Sequence, residues 1–463
     1  MTNIFDIVEL GYMVLGYLDW ASLGRMAQVD TSTNNMVRGY SLYQKIEKCW
    51  KGSNSYFNSI ENLFFGACKY AHFDILLVLR QKYWQKLNKI HVYGLNVAYR
   101  KGHLSVVKFL EKNGVDFSKD YEYTLTRACQ SNHLDIIKYL ARYRSKFRIH
   151  RDAALRTAAA AGNLIAVKYL VENGADINSG FENALCFACS NGHLDVVKFL
   201  VGLRNNSTYI NYYISYNERA FSMACRNSHL VVADYMIKMG IVDPKMIDNY
   251  LLSEVCKNGN LVMVDFLVSI GLDIHYHKEQ VFIEACRYGH LAVVEFLLEM
   301  GANIHVDDNI AFSVTCFKGH VHVAKFLLEK GVGIHYRCDR FLYSACRDNN
   351  LAMVEFFVEH GVDIHVGNDK AFRLACQNGH ITVIKYLIKC GANICAKNNE
   401  ALIEASYQGN LLVVQLLVKN GADIHTRNNL ALQKACHRGH LDVAKFLVEA
   451  GANITMLDEF SYH

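Results

Sequence analysis

Proline is almost missing from this chain: Pro244 is the single one in 463 residues. That excludes proline-rich linkers, and 30 glycines without a triplet rhythm exclude a collagen-like chain. Fifteen cysteines, about 3% of the chain, fall far short of a secreted disulfide scaffold. Charge of one sign is also scarce. Lys plus Arg number 49 against 44 acidic residues, a net of +5, too weak to imply nucleic acid by itself. No uninterrupted apolar run reaches the roughly 18 residues of a membrane helix. The first apolar stretch, Ile4 to Leu18, is broken by Asp6 and Glu9 and has no basic leader, so no signal peptide is expected. Reduced thiols and a cytoplasmic location follow as expectations, with the nucleus as the other compartment. What the chain does have is a 51% hydrophobic content with only 20% charged residues, enough to bury a core.

The core is organised by a period. A Gly-His-Leu triplet or a close variant recurs, its second residue falling at His72, His103, His133, Asn163, His193, His229, Asn260, His290, His320, Asn350, His380, Asn410 and His440. Nearly all gaps are 30 or 31 residues; the gap from His193 to His229 is 36. The unit from Asp308 to Arg337 shows the common plan. Asn309 stands as a polar cap before a short helix, with Glu61, Glu122, Asp152, Glu182, Glu218, Asn249, Glu279, Asp339, Asp369, Asn399 and Asn429 in step elsewhere. Ala311, Phe312, Thr315 and Cys316 then share one helical face. Gly319 turns the chain, His320 opens a second helix rich in Val, Ala, Phe and Leu, and Gly331 ends it. Neither helix can bury its apolar face alone, so neighbouring units must stack.

These units resemble the ankyrin repeat, as in Cys286-Arg-Tyr-Gly-His-Leu-Ala-Val-Val-Glu-Phe-Leu-Leu-Glu-Met-Gly-Ala-Asn303. The resemblance implies an all-α solenoid of helix pairs, about thirteen units over residues 58–457, followed by a tail at 458–463. The family unit has about 33 residues with a Thr-Pro-Leu-His start. Most units here have 30 and none has Thr-Pro, so the hairpin loops are expected to be short. In this shortened form the chain resembles the ankyrin families expanded in giant DNA viruses, which would make it a viral protein acting on a host. Residues 1–55 lack the repeat. Val8, Leu15, Leu18, Leu23, Val29 and Tyr43 follow a pattern that resembles the F-box, with Val8 in place of the proline and Tyr43 in place of the tryptophan. A helical cap on the open end of the stack is the other reading. Trp84, in the irregular first unit, is expected at the joint to whatever precedes it, and the tyrosine-rich insertion 202–216 is expected to be a projecting loop.

Two ladders invite a metal reading. Cys68, Cys129, Cys189, Cys225, Cys256, Cys286, Cys316, Cys346, Cys376 and Cys436 share one position, interrupted by Tyr99, Ala159 and Ser406. His275, His305, His335, His365 and His425, with Cys395 in step, share another. Packed helices lie about 8–10 Å apart, whereas zinc needs donors at about 2.0–2.3 Å. The ladders are therefore read as structural, Cys186 and Cys189 included, and no metal or cofactor is expected. No phosphate-binding loop, dinucleotide fingerprint or nucleophile elbow occurs. The expectation is a protein with no catalytic residues.

What remains is surface. The resemblance places the two residues before each Gly-His pair on the concave binding face: Arg226, Lys257, Arg287, Tyr288, Phe317, Lys318, Arg347, Tyr407 and Arg438. Arg and aromatic residues are favoured interface anchors, so a target protein is the expected partner and a monomer the expected state. The F-box resemblance adds a cullin-type ubiquitin ligase adapter, docked through Leu15, Leu18, Leu23 and Val29; a scaffold or decoy is the alternative. A basic segment, 138–156, with Arg142, Arg144, Lys146 and Arg148 at its centre, reads as an exposed loop and ranks nucleic acid last among the partners.

Overall fold

Each repeat is built from two helices too short and too one-sided to stand alone. In the computed structural model the second helix of one repeat, Val321–Glu329, buries Val323, Ala324 and Leu327. The helical part of the preceding segment, Val306–Lys318, buries Ala311, Phe312, Thr315 and Cys316. Each fully buried Val or Leu contributes about 1.5–3 kcal/mol, a gain available only when the next repeat covers it. The structure describes residues 59–87, 90–116, 120–180, 183–204, 210–334 and 338–453, and among these all regular structure is helical. The F-box-like residues Leu15, Leu18, Leu23 and Val29, His335 and the tail 458–463 lie outside the described residues.

The chain divides into two units, Met1–Asp243 and Pro244–His463. In the first, helix pairs run from Ser59–Tyr70 to Leu230–Lys238; in the second, from Tyr250–Asn258 to Leu441–Glu449. Within each, first helices pack on the first helices of neighbouring repeats, and this layer holds the cysteine ladder. Cys68 through Cys376 of that ladder are buried, as are Tyr99, Ala159 and Ser406 in its gaps, whereas Cys436 near the end of the second unit is exposed. Burial pushes the thiols of Cys256, Cys286 and Cys346 up to about 12. They are small core residues and not reactive ones.

The shortened repeat is closed by a turn that the sequence reading did not anticipate. In the second unit, residues 277–279, 307–309, 367–369, 397–399 and 427–429 each run through three successive left-handed conformations. With three residues fewer than a full unit, no hairpin extends, and the chain reverses within this one left-handed turn. The conformation costs an ordinary residue about 1–2 kcal/mol, and most of these positions are Asn, Asp or Gly, which tolerate it best.

That turn corrects the role assigned to Asn309, Asp369, Asn399 and Asn429, which lie within it; Asn249 does stand at the N-cap of Tyr250–Asn258, but its side chain makes no capping bond. Asn309 has φ +64° and meets His305 Nδ1 at 2.8 Å. Asp369, Asn399 and Asn429 each accept, through Oδ1, a backbone N–H of the following repeat, from Asn393 at 2.9 Å, Asp423 at 3.0 Å and Asn453 at 3.3 Å. Asn249 accepts from Asp273 in the same way, and Asp152 from Asp176 in the first unit, both at 2.9 Å. The position is an inter-repeat staple. A capping role belongs instead to Asn183, whose Oδ1 accepts from the Cys186 N–H at 3.1 Å. Asn399→Ala is expected to destabilise the second unit by about 1–2 kcal/mol, through the lost hydrogen bonds and the alanine at positive φ. Asn399→Asp, which copies Asp369, should recover most of it. Urea unfolding of the three proteins measures the difference.

The histidine ladder belongs to the same turn. Nδ1 of His275, His365 and His425 meets the side chain four residues on, Glu279 at 2.6 Å, Asp369 at 2.9 Å and Asn429 at 3.1 Å. Each of these imidazoles therefore clasps its own turn.

One further expectation changes. The tyrosine-rich insertion is not wholly a loop, since its second half lies in the helix Ile210–Arg226; no glycine or proline interrupts that stretch. Within the described first unit, Trp84 Nε1–H donates to the Asn113 carbonyl at 3.3 Å, and its ring lies 3.9 Å from that of His91, 6.3 Å from Phe109 and 6.4 Å from Phe64; the joint to the preceding residues lies outside the described residues. Burial pushes His91 down to about 4 from an ordinary 6.5, so it is neutral in the fold. Between those two pH values the unfolded chain binds a proton that the folded chain refuses. Its contribution to stability is thus present above pH 6.5 and lost as pH falls through 4. The melting temperature of His91→Gln should accordingly fall less steeply than the parent's between neutral pH and pH 4.

Candidate protein-binding surface

The two residues before each Gly-His pair occupy the last turn of a first helix, where the following glycine adopts a left-handed cap. Gly289 at φ +76° closes the helix that ends with Arg287 and Tyr288, and Gly319 at φ +81° closes the one that ends with Phe317 and Lys318. The signature histidine of the next repeat then holds the backbone of that turn. His320 Nε2 lies 2.9 Å from the Arg287 carbonyl, His290 Nε2 2.8 Å from Lys257, His380 Nε2 2.7 Å from Arg347 and His440 Nε2 3.1 Å from Tyr407. A carbonyl only accepts, so Nε2 carries the proton. Where asparagine replaces histidine, Asn410 Nδ2 keeps the bond, to the Gln377 carbonyl at 3.2 Å, whereas Asn350 Nδ2 reaches the Gly319 carbonyl at 3.4 Å. These histidines bond to backbone, and the carbonyls they hold belong to the expected surface residues.

In the second unit Tyr288 and Phe317 are 48% and 55% exposed, large values for aromatic rings at helix ends. Lys318 Nζ stands 5.9 Å from the Phe317 ring centre, and the Arg438 guanidinium lies 4.2 Å over Tyr407. Lys318, Arg347 and Arg438 are exposed; Lys257, Arg287 and Tyr407 are half-buried. Arg226, in the first unit, is exposed.

The strip is less basic than its sequence suggests. Arg287 Nε lies 3.4 Å from Glu284 Oε1, and Glu284, itself buried, also accepts from Gln280 Nε2 at 2.5 Å. Arg347 Nε donates to Asp348 Oδ1 at 2.9 Å, and its guanidinium reaches Ser344 Oγ at 3.2 Å. Arg347 holds the Asp348 carboxyl below its ordinary range. Glu284 was not singled out from the sequence. The adjacency of Arg347 and Asp348 was visible there, but the Glu284 contact depends on helical register.

The basic segment is not a loop. Arg144–Ala160 is one 17-residue helix that replaces the usual Gly-Ala-Asp turn, anchored by buried Phe147, Ala154 and Leu155. Arg142 precedes it, stacked 3.6 Å over the Tyr139 ring with Nε donating to the Tyr139 carbonyl at 3.1 Å. The Tyr139 and Tyr143 hydroxyls both donate to Glu111. Arg144 and Arg148 are exposed, while Lys146 is half-buried. Further along, Arg151 and Arg156 donate to the carbonyls of Asn173 and Ser179 at 3.0 and 3.2 Å.

Among the described residues no three His, Cys, Asp or Glu side chains are grouped to hold a metal ion. No helix there is long and apolar enough to cross a membrane.

Comparison with known proteins agrees with the helix pairs. A model of ankyrin repeats in three copies matches residues 95–181, 155–248, 342–428 and 372–458, and a single ankyrin-repeat model matches 282–309. No curated protein matches the chain. The human ASB11 ankyrin repeat domain, seen in a crystal structure, is 22% identical and overlaps 44% of this chain and 98% of its own length, with a TM-score of 0.38. With the repeat models covering more than half of its residues, the chain belongs to the ankyrin-repeat family.

Proposed function

We propose that the protein is a non-catalytic binding protein whose helix-end strip in the second unit grips a target protein. The carrying observation is the pinning of that strip. Tyr288 and Phe317 project from turns whose geometry is fixed by a left-handed glycine, and the Tyr288 turn is held from the next repeat by the His320 bond. Exposed rings on a rigid backbone lose little freedom on binding, and Tyr and Arg are frequent anchors. Affinity capture with full-length protein, followed by mass spectrometry, should identify a target. Tyr288→Ala with Phe317→Ala should then weaken its binding by at least about 30-fold, the equivalent of about 2 kcal/mol. A target held equally by this variant would refute the assignment.

The F-box-like pattern of residues 1–55 supports a finer reading, in which Leu15, Leu18, Leu23 and Val29 dock a cullin-ligase adapter. The repeats would then raise the concentration of target near the ligase. Leu18→Asp should abolish adapter capture while leaving the target bound. If the intact protein captures no adapter, the N-terminal residues act as a cap and the protein as a scaffold or decoy. The 30-residue unit is the ground for placing it among the viral ankyrin families.

A further inference from the structure

We propose that the outer helices of the first unit form a second surface, which binds the phosphate backbone of a nucleic-acid duplex without reading its sequence. Lys108, Lys138, Lys168 and Lys198 occupy one position of four successive second helices, and all four are exposed. At the spacing of packed helices they form a row of single cations about 8–10 Å apart. Three of them are drawn over an aromatic ring of the next repeat: Lys108 lies 5.6 Å from Tyr139, Lys168 5.6 Å from Phe199 and Lys198 5.7 Å from Tyr235. The rings beneath are buried or half-buried, so the row presents ammonium groups and not aromatic faces. Arg144 and Arg148 add two exposed guanidiniums at the start of the helix that follows Leu134–Leu140.

The row is confined to this unit and is not demanded by the fold. In the next repeat the position is Asp234, paired with Lys238 at 2.8 Å. In the second unit it reads Asp265, Glu295, Lys325, Glu355, Lys385, Gln415 and Lys445. Lysine is depleted from protein interfaces, whereas evenly spaced, flexible cations are what backbone phosphates meet. Exposed Asp135 and Asp195 each stand three residues before a lysine of the row, and exposed Glu172 four after Lys168, so the longer ammonium arms must reach past these carboxylates to meet phosphates.

The test uses full-length protein and a labelled random-sequence duplex, with binding followed by fluorescence anisotropy from about 50 mM salt upward. The parent should bind with a steep salt dependence. Changing Lys108, Lys138, Lys168 and Lys198 together to Gln should make the log–log slope shallower by about 3–4 and weaken binding at least tenfold, with the melting curve unchanged. Arg144→Gln with Arg148→Gln should produce a smaller loss in the same direction. Lys325→Gln with Lys385→Gln and Lys445→Gln, and the Tyr288/Phe317 double alanine, should leave duplex binding intact, which separates this surface from the target-binding strip. No binding at low salt, or an unchanged slope in the quadruple variant, overturns the proposal. So does lysine-dependent binding to anionic vesicles or polyglutamate without binding to the duplex.

Discussion

Cys316→Asp is expected to unfold most of the second unit at temperatures where the parent is intact. Cys316 is 2% exposed, and burial first, with the neighbouring Cys338 thiol second, pushes its own thiol far above the ordinary range, so the same site would resist a carboxylate. Cys286 and Cys346, its counterparts in the flanking repeats, are equally buried thiols and offer no cation. An unpaired buried charge costs several kcal/mol, and protonation relieves only part of that near neutral pH. The expected loss is at least about 3–5 kcal/mol, read as a large fall in the urea midpoint. Cys316→Ala and Cys316→Ser serve as controls, because Ala159 and Ser406 fill the same ladder position with no exposure at all. Both should stay within about 1–2 kcal/mol of the parent. An aspartate variant that melts like the parent would mean that the ladder does not lie in the packed layer.

The repeat was legible because packing imposes it. The same apolar positions must meet a neighbour every 30 residues, and the Gly-His pair must recur wherever a helix end is bonded across repeats. The short connection was legible by length alone, but its left-handed course was not. Asn368-Asp369, Asn398-Asn399 and Asn428-Asn429 carried the signal. In sequence that signal matches helix capping, since a cap and an inter-repeat staple both need a short side-chain acceptor. The basic segment misled for a different reason. Loss of the Gly-Ala-Asp ending looked like loss of structure, yet Phe147, Ala154, Leu155 and Ala158 keep a helical face through it. Cross-repeat neutralisation was out of reach, because a pair such as Arg373 with Glu400 is made by stacking and not by proximity in sequence.

Gly289→Ala should produce the second large effect, and it tests the link between stacking and the binding strip. Gly289 has φ +76°, and a β-carbon there would stand 2.4 Å from Nδ1 and 2.5 Å from Cγ of His320. Alanine in a left-handed conformation costs about 1–2 kcal/mol. The imidazole must also move, which breaks its 2.9 Å bond to the Arg287 carbonyl at a further cost of about 1 kcal/mol. A total of about 2–3 kcal/mol is expected, together with weaker target binding through the displaced Arg287–Tyr288 turn. The first unit shows how the clash can be relieved. There Asn132 takes φ +57° without glycine, and Asn163 replaces the histidine while donating to the carbonyls of Cys129 and Gln130 at 2.7 Å. Adding His320→Asn to Gly289→Ala should therefore restore part of the stability, so that the double variant loses less than the two single variants combined. Strict additivity would show that the glycine is required for its backbone conformation alone and that the imidazole does not crowd it.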